Sequence, residues 1–213
     1  MTAQLWCFGE SGNAYKAALT LQLSDYDWTP VYVDFFNGET RGPEFRTLNP
    51  MGEVPVFRDG DLTLTQSAVI QLHIADQTGQ FLGADRNEVL RWLFWDNHKL
   101  SGVAGSTRFL MNFLPADKRP AEVIAFQQAR LKSTYSVLND RLSHSEWVAA
   151  AAPTIADFAC CGYLFYPEPF GFDRAEWPHI DRWLDGIAAL PGWKHPYDLM
   201  PGNPSDRAPK EDQ

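Results

Sequence analysis

Four short stretches of this chain carry residue types and spacings that could do chemistry. The first is Ser11-Gly12-Asn13-Ala14-Tyr15-Lys16, which follows an apolar run and opens a helical pattern. A hydroxyl and a carboxamide at a helix start are donors that suit a bound anion, a thiolate among them. A free thiol ionises near ~8.5, and lowering that by about two units takes roughly 2.7 kcal/mol of preference for the thiolate. One or two donors to the anion, each contributing about 1.5–3 kcal/mol, would suffice. The plainer alternative is that Ser11 only caps the helix.

The second stretch is Asn49-Pro50-Met51-Gly52-Glu53-Val54-Pro55-Val56. A proline opening a buried strand cannot donate to the sheet. A cis Val54–Pro55 bond in a tight turn resolves this and leaves the Val54 N–H and C=O free to pair with an extended peptide ligand. An edge-strand proline with no ligand is the alternative. The third is Gln66-Ser67 at a helix start, where free N–H groups and the helix dipole suit a carboxylate. Ser67 there is expected to be the N-cap and to touch the anion, or to be a cap alone. The fourth is Pro153-Thr154 with Asp157, a capping-box pattern with Asp in place of Glu, so Asp157 is read as structural.

These stretches need elements to hold them. QLWCF (4–8) reads as a strand, followed by a loop and a helix through Leu19, Leu21 and Leu23. Pro30 to Phe36 reads as a second strand, being rich in β-branched and aromatic residues. VPVF (54–57) and LTLT (62–65), joined through Asp59-Gly60-Asp61, read as a hairpin, and Gln66 to Asp76 as a helix. After TGQFLGADRN the strand signals stop. Helices are expected over 87–112, 121–142, 154–166 and 179–190, with a polar, proline-rich tail beyond them. An α/β unit followed by an all-α unit gives domains at 1–78 and 87–200, a linker at 79–86 and a flexible tail at 201–213.

Composition excludes other classes. The 213 residues are 45% hydrophobic and 21% charged, as in ordinary globular proteins rather than disordered or fibrous ones. No apolar run approaches the ~18 residues of a membrane span. Eighteen basic against 27 acidic residues leave a net charge of −9, which repels nucleic acid and anionic lipid. The opening MTAQLWCFGE carries no basic region followed by an apolar stretch, so no secretory signal is expected. Cys7, Cys160 and Cys161, an odd set without framework or zinc spacing, read as reduced thiols in the cytoplasm, and no metal is expected.

Taken together, SGNAYK, NPMGEVPV, TQSAVIQLHIAD and PTIADF resemble the cytosolic glutathione transferases over about residues 4–195. The resemblance implies a thioredoxin-like N-terminal domain that binds glutathione, followed by a helical-bundle C-terminal domain that supplies most of the second-substrate pocket. The SGN-x-x-K loop is similar to bacterial and fungal members whose hydroxyl residue and asparagine lie near the glutathione sulfur, many of which reduce disulfides or peroxides. Carried over, these become Ser11 and Asn13, with Gly12 where those members have proline. Phe8 stands where tyrosine-type classes carry their tyrosine, and Cys7 lies within the strand rather than at the helix start.

The resemblance further implies that Glu53, Val54, Pro55, Gln66 and Ser67 contact glutathione. Val54 would pair with its cysteinyl backbone, and Gln66 and Ser67 would grip its γ-glutamyl group. Arg41 is the first choice of cation for the glycine carboxylate, with Lys16 and Arg46 as alternatives. Trp95, Arg108, Phe109 and Phe113 are expected in the second-substrate pocket, with helix core or dimer contact as the other reading. The expected co-substrate is glutathione, and the expected partner a hydrophobic electrophile, peroxide or disulfide. The expected assembly is a homodimer, with Met51 near its interface. Two other readings are a non-catalytic glutathione- or ligand-binding protein on the same fold, and a dehalogenase or lyase using glutathione on one metabolite.

Overall fold

The computed structural model describes residues 2–202. Most of the tail expected over 201–213 lies outside the described residues. The chain divides into two compact units: residues through Thr78 joined by the segment that starts at Gly192, and Gly79–Pro191 between them.

The first unit is built on a four-stranded sheet in the order β2-β1-β3-β4. β1 (Ala3–Cys7) alternates, burying Ala3, Leu5 and Cys7 on one face while Gln4 and Trp6 point to the other. It pairs in parallel with β2 (Trp28–Tyr32), Leu5 opposite Pro30, so a crossover must join them, and α1 (Gly12–Leu23) is that crossover. On the other side β1 runs antiparallel to β3 (Val56–Asp59), which turns through Gly60 into β4 (Leu62–Thr65). Pro30 is tolerated because β2 is an edge strand. α3 (Ser67–Thr78) packs against α1. The short α2 (Pro43–Leu48) covers a smaller cluster of Val33, Phe45 and Val56, against which Trp6, Leu48 and Val54 pack.

The second strand is displaced from its expected span of 30–36. It begins at Trp28, and after Val33 donates to the Cys7 carbonyl (3.1 Å) the chain leaves the sheet. The Asp34 carboxylate then accepts from Asn37 Nδ2 (2.8 Å) and the Phe35 ring stacks on Phe8 (4.9 Å), so these aromatics pack in a turn rather than extend a strand.

The second unit is helical. α4 (Arg86–Trp95) is capped by the Asp85 carboxylate and is separated from α5 (Gly102–Asn112) by a π-helical turn, Asp96–Ser101. The single helix expected over 87–112 is therefore interrupted, with buried Asp96 accepting from the Ser101 hydroxyl (2.7 Å) inside the turn. α6 (Ala121–Ser143) and α8 (Pro178–Ala188) pack on each other, burying Leu131, Leu138, Trp183 and Leu184. α7 (Ile155–Cys160) is much shorter than the expected 154–166: from Gly162 N–H to Ala159 C=O (3.1 Å) onward the chain tightens into turns. Among the described residues no helix is long and apolar enough to cross a membrane.

The expected helical domain of 87–200 also ends earlier. From Gly192 the chain rejoins the first unit, where α9 (Pro196–Leu199) packs against α1.

Candidate functional site

Ser11 is the N-cap of α1. Its N–H donates to the Phe8 carbonyl (3.0 Å), its carbonyl accepts from the Tyr15 N–H (2.9 Å) and its Oγ accepts from the Ala14 N–H (3.1 Å). Those three bonds fix the oxygen but use none of its donor capacity, so the hydroxyl hydrogen can go to a ligand. The N–H groups of Gly12 and Asn13 are the other donors a helix leaves open at this end. Asn13 Oδ1 is buried without a hydrogen-bond partner, an acceptor that a ligand N–H or S–H would satisfy, while a bound anion would draw on the Asn13 Nδ2 or backbone N–H. Both residues named for the sulfur end thus lie in one place, at the positive end of a helix dipole.

The Asn49–Pro55 loop is organised by a residue that sequence reasoning missed. Asn49, almost fully buried, donates from Nδ2 to the Glu53 carbonyl (2.8 Å) and accepts at Oδ1 from the Met51 N–H (3.1 Å). The available signal was the Asn-Pro-x-Gly order, in which an Asx turn and a positive-φ glycine fold the loop back. Gly52 sits at φ +67, where a Cβ would lie 2.9 Å from the Thr40 carbonyl oxygen, so no other residue fits. The Val54–Pro55 bond is cis. β3 begins only at Val56, so Val54 lies outside the ladder, and among the described residues its backbone N–H and C=O take no hydrogen bond.

The third stretch differs from expectation at its cap. The Gln66 carbonyl accepts the first helical bond, from the Ile70 N–H (3.1 Å), so Gln66 holds the cap position and Ser67 is the first helical residue. Gln66 adopts φ +69, a conformation that costs a non-glycine residue about 1–3 kcal/mol and that clusters at binding sites. This twist sends its carboxamide toward the preceding loop, with Nε2 3.5 Å from Glu53 Oε2 and 3.4 Å from the Met51 sulfur. Ser67 is buried, and its hydroxyl makes no hydrogen bond among the described residues. The fold therefore joins Glu53 to Gln66 and sets Ser67 directly beside them in the chain.

Other candidates stand apart from this grouping. Arg41 is exposed at the end of a 3₁₀ turn (Glu39–Arg41) and bonds to none of the residues above, while Arg46 reaches the Pro50 carbonyl at 3.4 Å and Lys16 is buried in α1. Within the helical unit Phe109 and Phe113 form a tilted pair at 6.0 Å, with Phe109 38% exposed. Trp95 meets Trp92 edge-on and lines a cavity of about 310 Å³ together with Lys99, Arg130 and Val137. Arg108 is 1% exposed, paired with Glu168 at 2.7 Å and lying 4.0 Å over the Tyr166 ring. A charge that deep is held by its partners, and here they belong to the helical unit itself.

Two residues expected to be structural are deeply buried. Burial pushes the Cys7 thiol up to about 12, which removes it as a nucleophile near neutral pH. Asp157 is fully buried and accepts from the Thr154 N–H (2.8 Å), Thr154 Oγ1 (3.0 Å), Val148 N–H (2.7 Å) and Trp183 Nε1 (3.0 Å). No group of three or more His, Cys, Asp or Glu among the described residues could hold a metal ion.

Comparison with known proteins gives the family and the fold. Residues 1–76 match the glutathione S-transferase N-terminal domain and residues 105–191 the glutathione S-transferase C-terminal domain. The chain is 31% identical over 208 residues to glutathione S-transferase 4 of Zea mays, covering 93% of this chain and 92% of that protein. It is 29% identical over 194 residues to the disulfide-bond oxidoreductase YfcG of Escherichia coli K12, covering 86% and 89%. A glutathione S-transferase structure from Xanthobacter autotrophicus Py2 superposes with a TM-score of 0.82 at 32% identity, over 91% of this chain and 96% of that one.

Proposed function

Because the chain belongs to the glutathione S-transferase family, we propose that it activates the glutathione thiol through Ser11 and Asn13. The observation that carries this reading is the Ser11 hydroxyl. Its oxygen is held by the Ala14 N–H while its hydrogen remains to be donated, at the N-terminus of a twelve-residue helix. A thiolate placed there gains a hydroxyl donor and the partial positive charge of the helix end, both stronger for the anion than for the thiol. No protein base is needed, since the lowered pKa releases the proton to water.

The peptide part of glutathione is proposed to bind along the loop and the start of α3. The unpaired Val54 backbone would add the cysteinyl unit as a short strand, and Glu53, Gln66 and Ser67 would take the γ-glutamyl group. Pro55 sets the turn that presents Val54, and Arg41 is the proposed cation for the glycine carboxylate. Trp95, Phe109 and Phe113 are candidate contacts to the second substrate, whereas the pairing of Arg108 with Glu168 favours a packing role for that residue.

Two chemistries use the same thiolate. On an electrophilic carbon, the sulfur forms a C–S bond as the leaving group departs with its electron pair. On a disulfide, it bonds to one sulfur and expels the other as a thiolate, and a second glutathione then releases glutathione disulfide. The Ser-x-Asn loop and the similarity to a protein named as a disulfide-bond oxidoreductase favour the second. We also propose a homodimer, supported by family membership and by Met51 and Phe94, which are 59% and 72% exposed. Sedimentation of the purified protein tests that. The three buried cysteines form no disulfide, which is consistent with a reducing, cytoplasmic setting.

The decisive experiment is an ultraviolet difference titration of bound glutathione against pH. A thiolate formed near neutral pH supports the enzyme. Binding with an unshifted thiol supports a ligand-holding protein, and no binding overturns the reading.

A further inference from the structure

The segment that returns from the helical unit grips the polypeptide on both sides of Ser11. The Gly9 N–H donates to the Pro201 carbonyl (2.6 Å), the Tyr197 hydroxyl donates to Glu10 Oε2 (2.8 Å) and the Tyr15 hydroxyl donates to the Lys194 carbonyl (3.0 Å). These contacts fall two and one residues before Ser11 and four after it. Gly9 is pressed so closely that a Cβ there would lie 3.0 Å from the Gly202 carbonyl oxygen. Tyr197 is itself fixed: its N–H donates to His195 Nδ1 (3.3 Å) and its ring meets the imidazole at 5.3 Å.

Glu10 is the unexpected member of this set. Its side chain is 4% exposed, yet it directly precedes the residue proposed to stabilise an anion. A carboxylate in that position competes for the hydroxyl and N–H donors of the helix start, and it repels a thiolate. The Tyr197 hydroxyl gives it a charge-assisted partner on the C-terminal segment instead. The titratable residues these elements carry are Glu10, Tyr15 and Lys16 on the loop and helix start, and Lys194, His195, Tyr197 and Asp198 on the segment.

We infer that Tyr197 is a positioning residue for the sulfur end of the site. By holding the Glu10 carboxylate on the C-terminal segment, it keeps the Ser11 and Asn13 donors available to the glutathione thiolate. This inference rests on the function proposed above, and it assigns part of the thiolate stabilisation to a residue nearly two hundred positions from Ser11 in the chain.

The test uses the full chain and two readouts: the pKa of bound glutathione from thiolate absorbance, and the Kd for S-methylglutathione, which has no ionisable sulfur. Tyr197→Phe should raise the bound thiol pKa by about one unit, a tenfold loss of thiolate at low pH. Its Kd for S-methylglutathione should stay within about twofold, since the peptide contacts lie elsewhere. Glu10→Gln keeps an acceptor for Tyr197 without the charge and should not raise the pKa, and combining it with Tyr197→Phe should restore the wild-type value. A purely structural role would lower thermal stability with the pKa unmoved, and that result overturns the inference, as does a double variant that shows no restoration. Should Tyr197→Phe not fold, Glu10→Asp keeps the charge but draws the carboxylate back from the Tyr197 hydroxyl, so the pKa should rise there as well, and an unchanged pKa overturns the inference. A wild-type protein that forms no thiolate defeats the proposed function itself, whereas a normal wild type with an unaffected Tyr197→Phe defeats only this inference.

Discussion

Ser11 Oγ accepts the Ala14 N–H at 3.1 Å, so the oxygen that caps α1 is the same one proposed to face the glutathione sulfur. Cap and catalyst are not alternatives here, because accepting one hydrogen bond leaves the hydroxyl free to donate another.

Removing that oxygen therefore has two separable effects. Ser11→Ala should cost about 1 kcal/mol of stability through the lost cap. It should also raise the pKa of bound glutathione by roughly one to two units, the worth of one charge-assisted bond. Ser11→Gly keeps most of the capping free energy without the hydroxyl, so it should be nearly as stable as wild type yet share the raised pKa. Equal thiolate formation in all three proteins would remove Ser11 from the site.

At the other end of the bound tripeptide, Ser67→Ala should weaken S-methylglutathione by about 5- to 30-fold, equivalent to 1–2 kcal/mol for a hydrogen bond to a carboxylate. The pKa of the glutathione that still binds should not move. Calorimetry with the two ligands separates these quantities, and a shifted pKa with unchanged affinity would contradict the assignment.

Gln66 should show opposite effects on stability and binding. Gln66→Gly relieves the positive φ and should stabilise the fold by up to about 1 kcal/mol, while losing the side chain that meets Glu53. Chemical denaturation alongside glutathione titration tests this. A variant that is both less stable and equally tight would show that the strain serves no ligand.

Asp157 accepts four hydrogen bonds in a site without solvent. Asp157→Ala should leave those donors stranded and cost at least about 3 kcal/mol, read as a large fall in thermal midpoint. A loss below 1 kcal/mol, about the value of one cap, would mean the network relaxes around the gap.

High pH should weaken the protein through two groups of the first unit. Burial raises Cys7 from its ordinary 9.0 to about 12. Burial, and then the hydrogen bond to Asp59, raise Tyr26 from 10.0 to about 12. Both bind their protons more tightly when folded, so their contribution is complete below the unfolded values and is lost as pH rises through the folded ones. Unfolding midpoints should fall between pH 9 and 12, and Tyr26→Phe should flatten the upper part of that fall. A flat wild-type profile would refute it.

Much of this arrangement was legible in the residue order because its signals are local. The apolar run of β1, the Asp-Gly turn of the hairpin, Pro55 at a strand start and the Thr154–Asp157 cap each act within a few residues. What was not legible depends on tertiary contacts. Phe35 and Phe36 have the composition of a strand, but ring packing on Phe8 takes them out of the sheet. Arg108 reads as a pocket residue until Glu168, sixty residues away, pairs with it. Nothing in the sequence of 192–202 announces that it belongs with the first unit, since its bonds are to Gly9, Glu10 and Tyr15. Asn49 was passed over because its value lies in carbonyl and N–H groups that only the folded loop presents.

That return of the chain has a consequence for biosynthesis. The unit carrying Ser11 uses the first seventy-eight residues and the segment from Gly192, so the helical unit is, in covalent order, an insertion within it. On the ribosome, the helical unit has been translated in full before the segment that grips Gly9 and Glu10. The sulfur end of the site is thus among the last parts of the protein to be assembled, and a chain cut short near Leu190 would carry Ser11 without the contacts that hold its loop.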